Sequence, residues 1–418
     1  MITFTEALAA ITQAAEQNKL TTERVELDFI SGRICAEKIL APRSLQPFTN
    51  SAMDGYAFNH QDSRRSGDDQ PLLKVNTTIP AGAQPPSIPL APGECARILT
   101  GAPVPPGADS IIPVENTEQP TTGYVSFNQT PNHGANIRRA GEDIITGRTL
   151  IEPGTWLDTG HTMPLAALGI PSLAVFRKPR VAIITTGNEI TRELNSHLHE
   201  GQIFDSNHYY IQAFLQHFNS EIISSTHLKD DHPGFCQHLR QLMANQPDLI
   251  ISSGAVSAGA EHDYIRSGLE QIGAEILFHK VAIRPGKPNL LARLPNGTLY
   301  FGLPGNPLAT AAGLRFLVSA ALRAITHQPM EQALIGRCRS AHKKKKGFCQ
   351  ALLSTCEFDS DHRLLVNIPE SQPSFMTSPL LSSNCWTLLP ADSENIGAGT
   401  QVEIYPLVPE PRSWSRLD

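Results

Sequence analysis

Several familiar signatures are missing from this chain. It contains no G-x-G-x-x-G and no P-loop lysine pattern, which sets aside a Rossmann dehydrogenase and an ordinary nucleoside triphosphatase. No G-x-S-x-G and no Cys-His arrangement stands out, and His161, His208, His262 and His279 show no ligand spacing. Its seven cysteines are odd in number and scattered, without a C-x-x-C pair, so reduced thiols in the cytoplasm are expected and a structural zinc site is not. Residues Met1 to Glu6 carry neither a basic nor an apolar leader segment, and no secretory signal is expected. No apolar run approaches the roughly 18 residues of a membrane span. Charged residues make up only 18 %, and the net charge of −6 argues against a nucleic-acid surface.

What is present is a folded, multidomain composition. A length of 418 residues with 40 % apolar content exceeds one core and implies about two to four domains. Segments 4–17 and 22–41 read as helical. From 42 to 131, proline and glycine recur between short β-type runs, which predicts a β-rich domain. From Arg180 the rhythm changes. Strands are expected at 181–185, 221–226, 249–252, 275–283 and 298–302. Helices are expected at 206–218, 233–244, 263–272 and 307–325. That alternation predicts a three-layer α/β/α domain with a mainly parallel sheet at about 176–328. After Pro329 the pattern is β-like again. The run Lys343 to Lys346 reads as a solvated hairpin tip rather than an acidic-partner site.

Chemistry concentrates at the expected carboxyl ends of the strands, where open α/β sheets bind ligands. The first strand ends in Thr185-Thr186-Gly187-Asn188-Glu189, and the next helix follows Asp205-Ser206-Asn207. The second strand precedes Asp230-Asp231. The third opens into Ser252-Ser253-Gly254-Ala255-Val256-Ser257, with Gly259, Glu261 and Asp263 behind it. The fourth leads to Arg284-Pro285-Gly286-Lys287, and the fifth to Pro304-Gly305-Asn306-Pro307. Each piece alone has a plain structural use. Asp205, Ser206 or Asp263 serve as helix caps, and Gly254 and Gly259 serve turns. Together, Glu189, Asp205, Asp230 and Asp263 would repel one another unless a cation joined them. Hard carboxylate oxygens beside phosphate suit Mg²⁺, and Arg284 and Lys287 offer charge for an oxyanion. A Mg²⁺-assisted phosphoanhydride or phosphoryl reaction is the expected chemistry. Outside this domain, the Asp54-Gly55 pair reads as a hairpin turn, and Thr100-Gly101-Ala102-Pro103 as a strand running into a turn.

Specific motifs then add a resemblance. Pro47-Phe48-Thr49-Asn50-Ser51-Ala52-Met53-Asp54-Gly55-Tyr56-Ala57, Ile98-Leu99-Thr100-Gly101-Ala102-Pro103 and Arg138-Arg139-Ala140-Gly141-Glu142-Asp143-Ile144 come first. Thr185-Thr186-Gly187-Asn188-Glu189, Gly201-Gln202-Ile203-Phe204-Asp205-Ser206-Asn207, Pro285-Gly286-Lys287-Pro288 and Leu303-Pro304-Gly305-Asn306-Pro307 follow in order. With these, nearly the whole chain resembles the molybdopterin molybdenumtransferase family, bacterial enzymes related to the C-terminal domain of gephyrin.

The resemblance implies an elongated cytoplasmic homodimer of four-domain subunits. Its domains would be a split helical linker and dimerisation domain (1–43 and 140–175), a β-rich insert (44–139), the α/β molybdopterin-binding domain (176–328) and a small C-terminal β-barrel-like domain (329–418). It implies insertion of molybdate into adenylylated molybdopterin with release of AMP, dependent on Mg²⁺. Mg²⁺ would sit near Glu189, Asp205 and Asp263. Thr186, Gly187, Ser253, Gly254, Ser257 and Gly259 would bind the cofactor, the Gly254–Gly259 loop holding the pterin phosphate with its amides. Arg284, Lys287 and the Pro304, Gly305, Asn306 and Pro307 turn would hold molybdate, with Lys287 catalytic. Asp54 and Thr100 would reach across the dimer. Other proteins of cofactor biosynthesis are implied partners; nucleic acid and membrane are not. In the family the loop usually reads Ser-Gly-Gly-Val-Ser and is one residue shorter before its Asp. Here Ala255 places a Cβ where the backbone can need positive φ, and Glu261 joins Asp263 as a candidate. Two other readings remain: a catalytically altered molybdopterin-binding or scaffold protein on the same fold, and a different pterin or nucleotide phosphoanhydride enzyme sharing the α/β domain.

Overall fold

The computed structural model describes residues 1–18, 20–63, 72–129, 131–255 and 264–409. These divide into two compact units. The larger comprises Met1–Glu37, Pro153–Thr159 and Ser172–Asp418, and the smaller Lys38–Glu152 and Gly160–Pro171.

The centre of the larger unit is a six-stranded sheet. Its order is Glu221–Leu228, Arg180–Thr186, Leu249–Ser253, Leu299–Leu303, Leu290–Arg293, Glu275–His279. The first four strands are parallel, Leu290–Arg293 runs antiparallel to them, and Glu275–His279 pairs antiparallel with Leu290–Arg293. The strand Arg180–Thr186 is buried at every position but its first, as expected of a strand covered on both faces. Successive side chains alternate between two cores. Val181, Ile183, Leu249, Ile251, Leu299 and Phe301 pack with Ile11, Phe214, Leu215 and Leu308 from helices on one face. Ala182, Ile184, Ile250 and Tyr300 pack with Phe235, Leu239, Ile265 and Leu269 on the other. The three-layer, mainly parallel architecture expected from the sequence is therefore present.

The helical span Pro307–Ile325 is buried throughout. Contrary to the sequence expectation, it is long and apolar enough to cross a membrane on length and composition alone. It instead forms the core of this unit, where its Arg315 guanidinium makes a bidentate pair with Glu331 at 2.8 and 2.9 Å.

A closed five-stranded barrel follows. Leu334–Cys338, Cys349–Phe358, Leu364–Asn367, Cys385–Leu389 and Gln401–Pro406 close because Cys349–Phe358 pairs with both Leu364–Asn367 and Cys385–Leu389. Here the solvated lysine tip needs correcting. Lys344 is buried, and its Nζ donates to the Ser393 carbonyl at 2.8 Å, while Lys343, Lys345 and Lys346 are exposed.

Two further expectations are corrected. Segment 22–41 holds no α-helix, only a 3-10 turn at Leu27–Phe29: Thr22–Glu26 is a strand paired antiparallel with Ser172–Phe176, and that tertiary pairing decides its state. Segment 275–283 is not one strand. Glu275–His279 is the antiparallel edge of the α/β sheet, whereas Ile283–Arg284 pairs with Cys349 and Gln350 beside the barrel. The strand Leu290–Arg293, which follows both in the chain and lies between Leu299–Leu303 and Glu275–His279 in the sheet, has no counterpart among the strands expected from the sequence.

In the smaller unit a six-stranded sheet runs Ser110–Pro113, Gly55–Phe58, Glu94–Ile98, Leu72–Ile79, Tyr124–Phe127, Thr117–Thr121. Asp54-Gly55 is not a two-residue hairpin, because Gly55 opens a buried strand flanked by two others. A Cβ on Gly55 would stand 1.9 Å from the Ile112 carbonyl oxygen, so close strand approach, not turn conformation, demands glycine here.

Candidate active site

The site follows from strand register. Thr185 pairs with Ser253, and Ser253 with Leu303. Three parallel strands thus end level, and the residues after them (Thr186 and Gly187, Gly254 and Ala255, Pro304 and Gly305) line one cleft. The cleft measures about 780 Å³, and Glu189, Asp205, Asn207, Asp230, Tyr264, Pro288, Asn306, Pro307 and Phe375 also line it. This is the size range of sites that enclose small ligands.

Backbone conformation makes the floor. Gly187 has φ 145° and Gly254 φ 102°. A Cβ on Gly254 would lie 2.5 Å from Thr186 Oγ1 and 2.6 Å from the Thr186 carbonyl oxygen. Gly254→Ala is therefore expected to cost about 1–3 kcal/mol through overpacking and a disfavoured φ; an unchanged thermal midpoint would show that the loop yields instead. Ala255 adopts φ 50°, the left-handed conformation that glycine takes freely, so the chain holds its alanine in that region. The hydroxyl of Thr186 is buried and completes no hydrogen bond among the described residues, and it lies close enough to the Tyr264 hydroxyl to act on that phenol.

Asp205 is a cap and an ion-pair partner at once. Its Oδ1 accepts from the His208 amide at 2.9 Å and so caps the helix Ser206–His217. Its Oδ2 accepts from the Thr185 hydroxyl at 2.6 Å and from Arg192 Nε at 3.0 Å. Both oxygens are engaged, and the carboxylate is 2 % exposed. Arg192 also donates to Thr185 Oγ1 at 2.9 Å and to Ser225. Burial and the neighbouring Arg192 charge hold the His208 imidazole below its ordinary pKa.

Glu189 and Asp230 differ from Asp205: both are exposed, and neither forms an ion pair among the described residues. Asp230 accepts from the Tyr264 hydroxyl at 3.1 Å. Burial raises the Tyr264 phenol well above its ordinary value, so it remains a donor. Asn207 Nδ2 donates to Ser253 Oγ at 2.8 Å and to the Gly305 carbonyl at 2.7 Å, tying the ends of two strands to the helix start.

The sequence-predicted residues thus separate. Thr186, Gly187, Glu189, Asp205, Ser253, Gly254, Pro304, Gly305, Asn306 and Pro307 share the cleft. Arg284 and Lys287 are exposed and do not line it, though the neighbouring Pro288 does. Arg284 stacks over the Phe348 ring at 4.4 Å, a consequence of its strand pairing beside the barrel. Ser257, Gly259, Glu261, His262 and Asp263 lie outside the described residues. In the smaller unit Asp54 Oδ1 accepts from both the amide and the hydroxyl of Thr100 at 2.7 Å. The Thr100 hydroxyl and amide together hold the Asp54 carboxyl below its ordinary pKa. Among the described residues no three His, Cys, Asp or Glu side chains form a metal-binding group. The cleft also contains residues that sequence reasoning did not single out, among them Tyr264 and Phe375.

The chain is similar to known proteins over nearly its whole length. Residues 2–169 match "MoeA N-terminal region (domain I and II)", residues 182–324 "Probable molybdopterin binding domain" and residues 336–407 "MoeA C-terminal region (domain IV)". A molybdopterin molybdenumtransferase of Synechococcus elongatus is 32 % identical over 409 residues, covering 97 % of this chain and 100 % of that protein. One of Haemophilus influenzae is 32 % identical over 391 residues, covering 92 % and 94 %. The solved structure of a molybdopterin biosynthesis MoeA protein from Pyrococcus horikosii superposes with TM-score 0.80 at 29 % identity, covering 99 % of this chain and 100 % of that one. With relatives matching from end to end and a cleft at the carboxyl edge of the sheet, the chain belongs to the molybdopterin molybdenumtransferase family, enzymes of molybdenum cofactor biosynthesis.

Proposed function

We propose that this enzyme inserts molybdate into adenylylated molybdopterin, with AMP as the leaving product. The observation that carries the reading is the level ending of three parallel strands around a cleft with a glycine backbone floor, a buried unsatisfied Thr186 hydroxyl and carboxylates at its rim. Glycine at Gly187 and Gly254 lets a phosphate approach the backbone where a Cβ would stand in the way. Thr186 can donate to it. Tyr264 supplies a protonated hydroxyl beside Asp230. Asn207, spent on Ser253 and Gly305, keeps the cleft walls in place rather than contacting substrate. Lys287 does not line the cleft, but it is exposed, makes no ion pair among the described residues and adjoins the cleft-lining Pro288, so its ammonium would serve an oxyanion at the cleft's edge.

Mg²⁺ belongs to the same proposal. This ion is usually held by one or two carboxylates together with phosphate oxygens and water. Glu189 and Asp230 fit that need, with Asp263 a further candidate. Asp205 fits it poorly, since both of its oxygens are engaged. Bound there, Mg²⁺ would offset the charge on the adenylyl phosphate. A homodimer in which Asp54 and Thr100 also serve the reaction completes the proposal, and sedimentation equilibrium tests the dimer.

The decisive assay follows AMP release from adenylylated molybdopterin with Mg²⁺, with and without molybdate. Molybdate-dependent release with metal transferred to the pterin is expected; tight pterin binding without release would sink the reading. Glu189→Gln is expected to lower that release about a hundred-fold, through lost stabilisation of phosphate charge, with the thermal midpoint retained. Full activity in that variant would remove Glu189 from the site.

A further inference from the structure

Phe375 is 70 % exposed, yet it lines the cleft, opposite in character to the polar wall of Thr186, Asp230 and Tyr264. Its backbone is held on both sides. The Leu308 amide donates to the Ser374 carbonyl at 3.0 Å, and the Met376 amide to the Pro373 carbonyl at 3.1 Å. The following Met376 and Leu380 pack against the main core, whereas the Phe375 ring does not. An aromatic ring left in water beside a ligand cleft has free energy to gain from a flat partner, and the hydrogen-bonded backbone around it fixes where that ring is presented.

We propose that Phe375 is the platform on which a planar heterocycle of the substrate stacks. The inference rests on the functional reading above, whose substrate carries two such rings, adenine and pterin. Adenine is flat throughout and the pterin is flat at its pyrimidinone ring, and each can lie offset on the phenyl face.

Three variants test this. Phe375→Ala is expected to raise KM for adenylylated molybdopterin about ten-fold while leaving kcat little changed, as loss of uniform binding requires. Phe375→Tyr, which keeps the ring, is expected to retain the original KM. In Phe375→Trp, the added indole emission is titrated with AMP and, separately, with molybdopterin. Quenching by AMP identifies adenine as the stacked ring, and quenching by molybdopterin identifies the pterin. An unchanged KM in Phe375→Ala, or an indole that responds to neither molecule, overturns the proposal. Should the unaltered enzyme release no AMP, the functional reading fails, and the indole titrations still decide whether Phe375 stacks.

Discussion

Asp205→Ala is expected to destabilise the larger unit by about 3–4 kcal/mol and to depress molybdate-dependent AMP release. Removal of the carboxylate leaves Arg192 without its anionic partner in a mostly buried setting, which costs several kcal/mol even after allowance for the 22 % exposure of that arginine. It also strips the cap from Ser206–His217, worth about 1 kcal/mol. Thr185 loses its acceptor at the same time, and Thr185 lines the cleft. Asp205→Asn separates these effects, because asparagine caps as well as aspartate but carries no charge. Hydrogen exchange at the amides of Ser206–His217 reads the cap, and the unfolding midpoint reads the whole. If alanine left both unchanged, the three hydrogen bonds would carry no weight in the fold.

The second large effect is expected at Glu331. Arg315 is 1 % exposed and Glu331 13 %, measured on their side chains. Glu331→Ala would strand a guanidinium inside the core with the Pro406 carbonyl at 2.9 Å as its remaining hydrogen-bond acceptor, at a cost of about 3–5 kcal/mol. The rings of Phe316 and Tyr405, each 5.3 Å from the guanidinium, soften that loss only in part. Trp386, whose ring lies 5.9 Å from Phe316, reports the transition by fluorescence during urea unfolding. The double replacement Arg315→Met with Glu331→Leu is expected to recover most of the loss, because two apolar side chains bury without desolvating a charge. Failure of the double variant to recover would show that the pair also directs packing of Pro307–Ile325.

Much of the larger unit was legible because its signals are local. The runs ending at Thr185, Ser252 and Gly302 are apolar on both faces, and Asp205 precedes a helical pattern as a cap should. Four of the seven resemblance motifs lie in this unit, and each of the four supplies residues to the cleft. The exceptions are instructive. Arg284 and Lys287 were expected at a strand end of the α/β sheet, but Ile283–Arg284 follows the barrel strand Cys349–Phe358. Thr22–Glu26 is a strand only because Ser172–Phe176 lies beside it. Lys344 is buried only because the Ser393 carbonyl meets its ammonium.

By itself, then, the sequence determined the alternation of strand and helix, the buried runs, the turns rich in glycine and proline, and the family. These depend on the order of neighbouring residues, which periodicity and turn chemistry express directly. Tertiary structure alone decided which strands pair, that both Asp205 oxygens are spent, and that Tyr264 and Phe375 join the cleft. Each of those facts is a distance between segments far apart in the chain, set by how two faces of one sheet are covered and where its strands end in register, and no local pattern encodes such a distance.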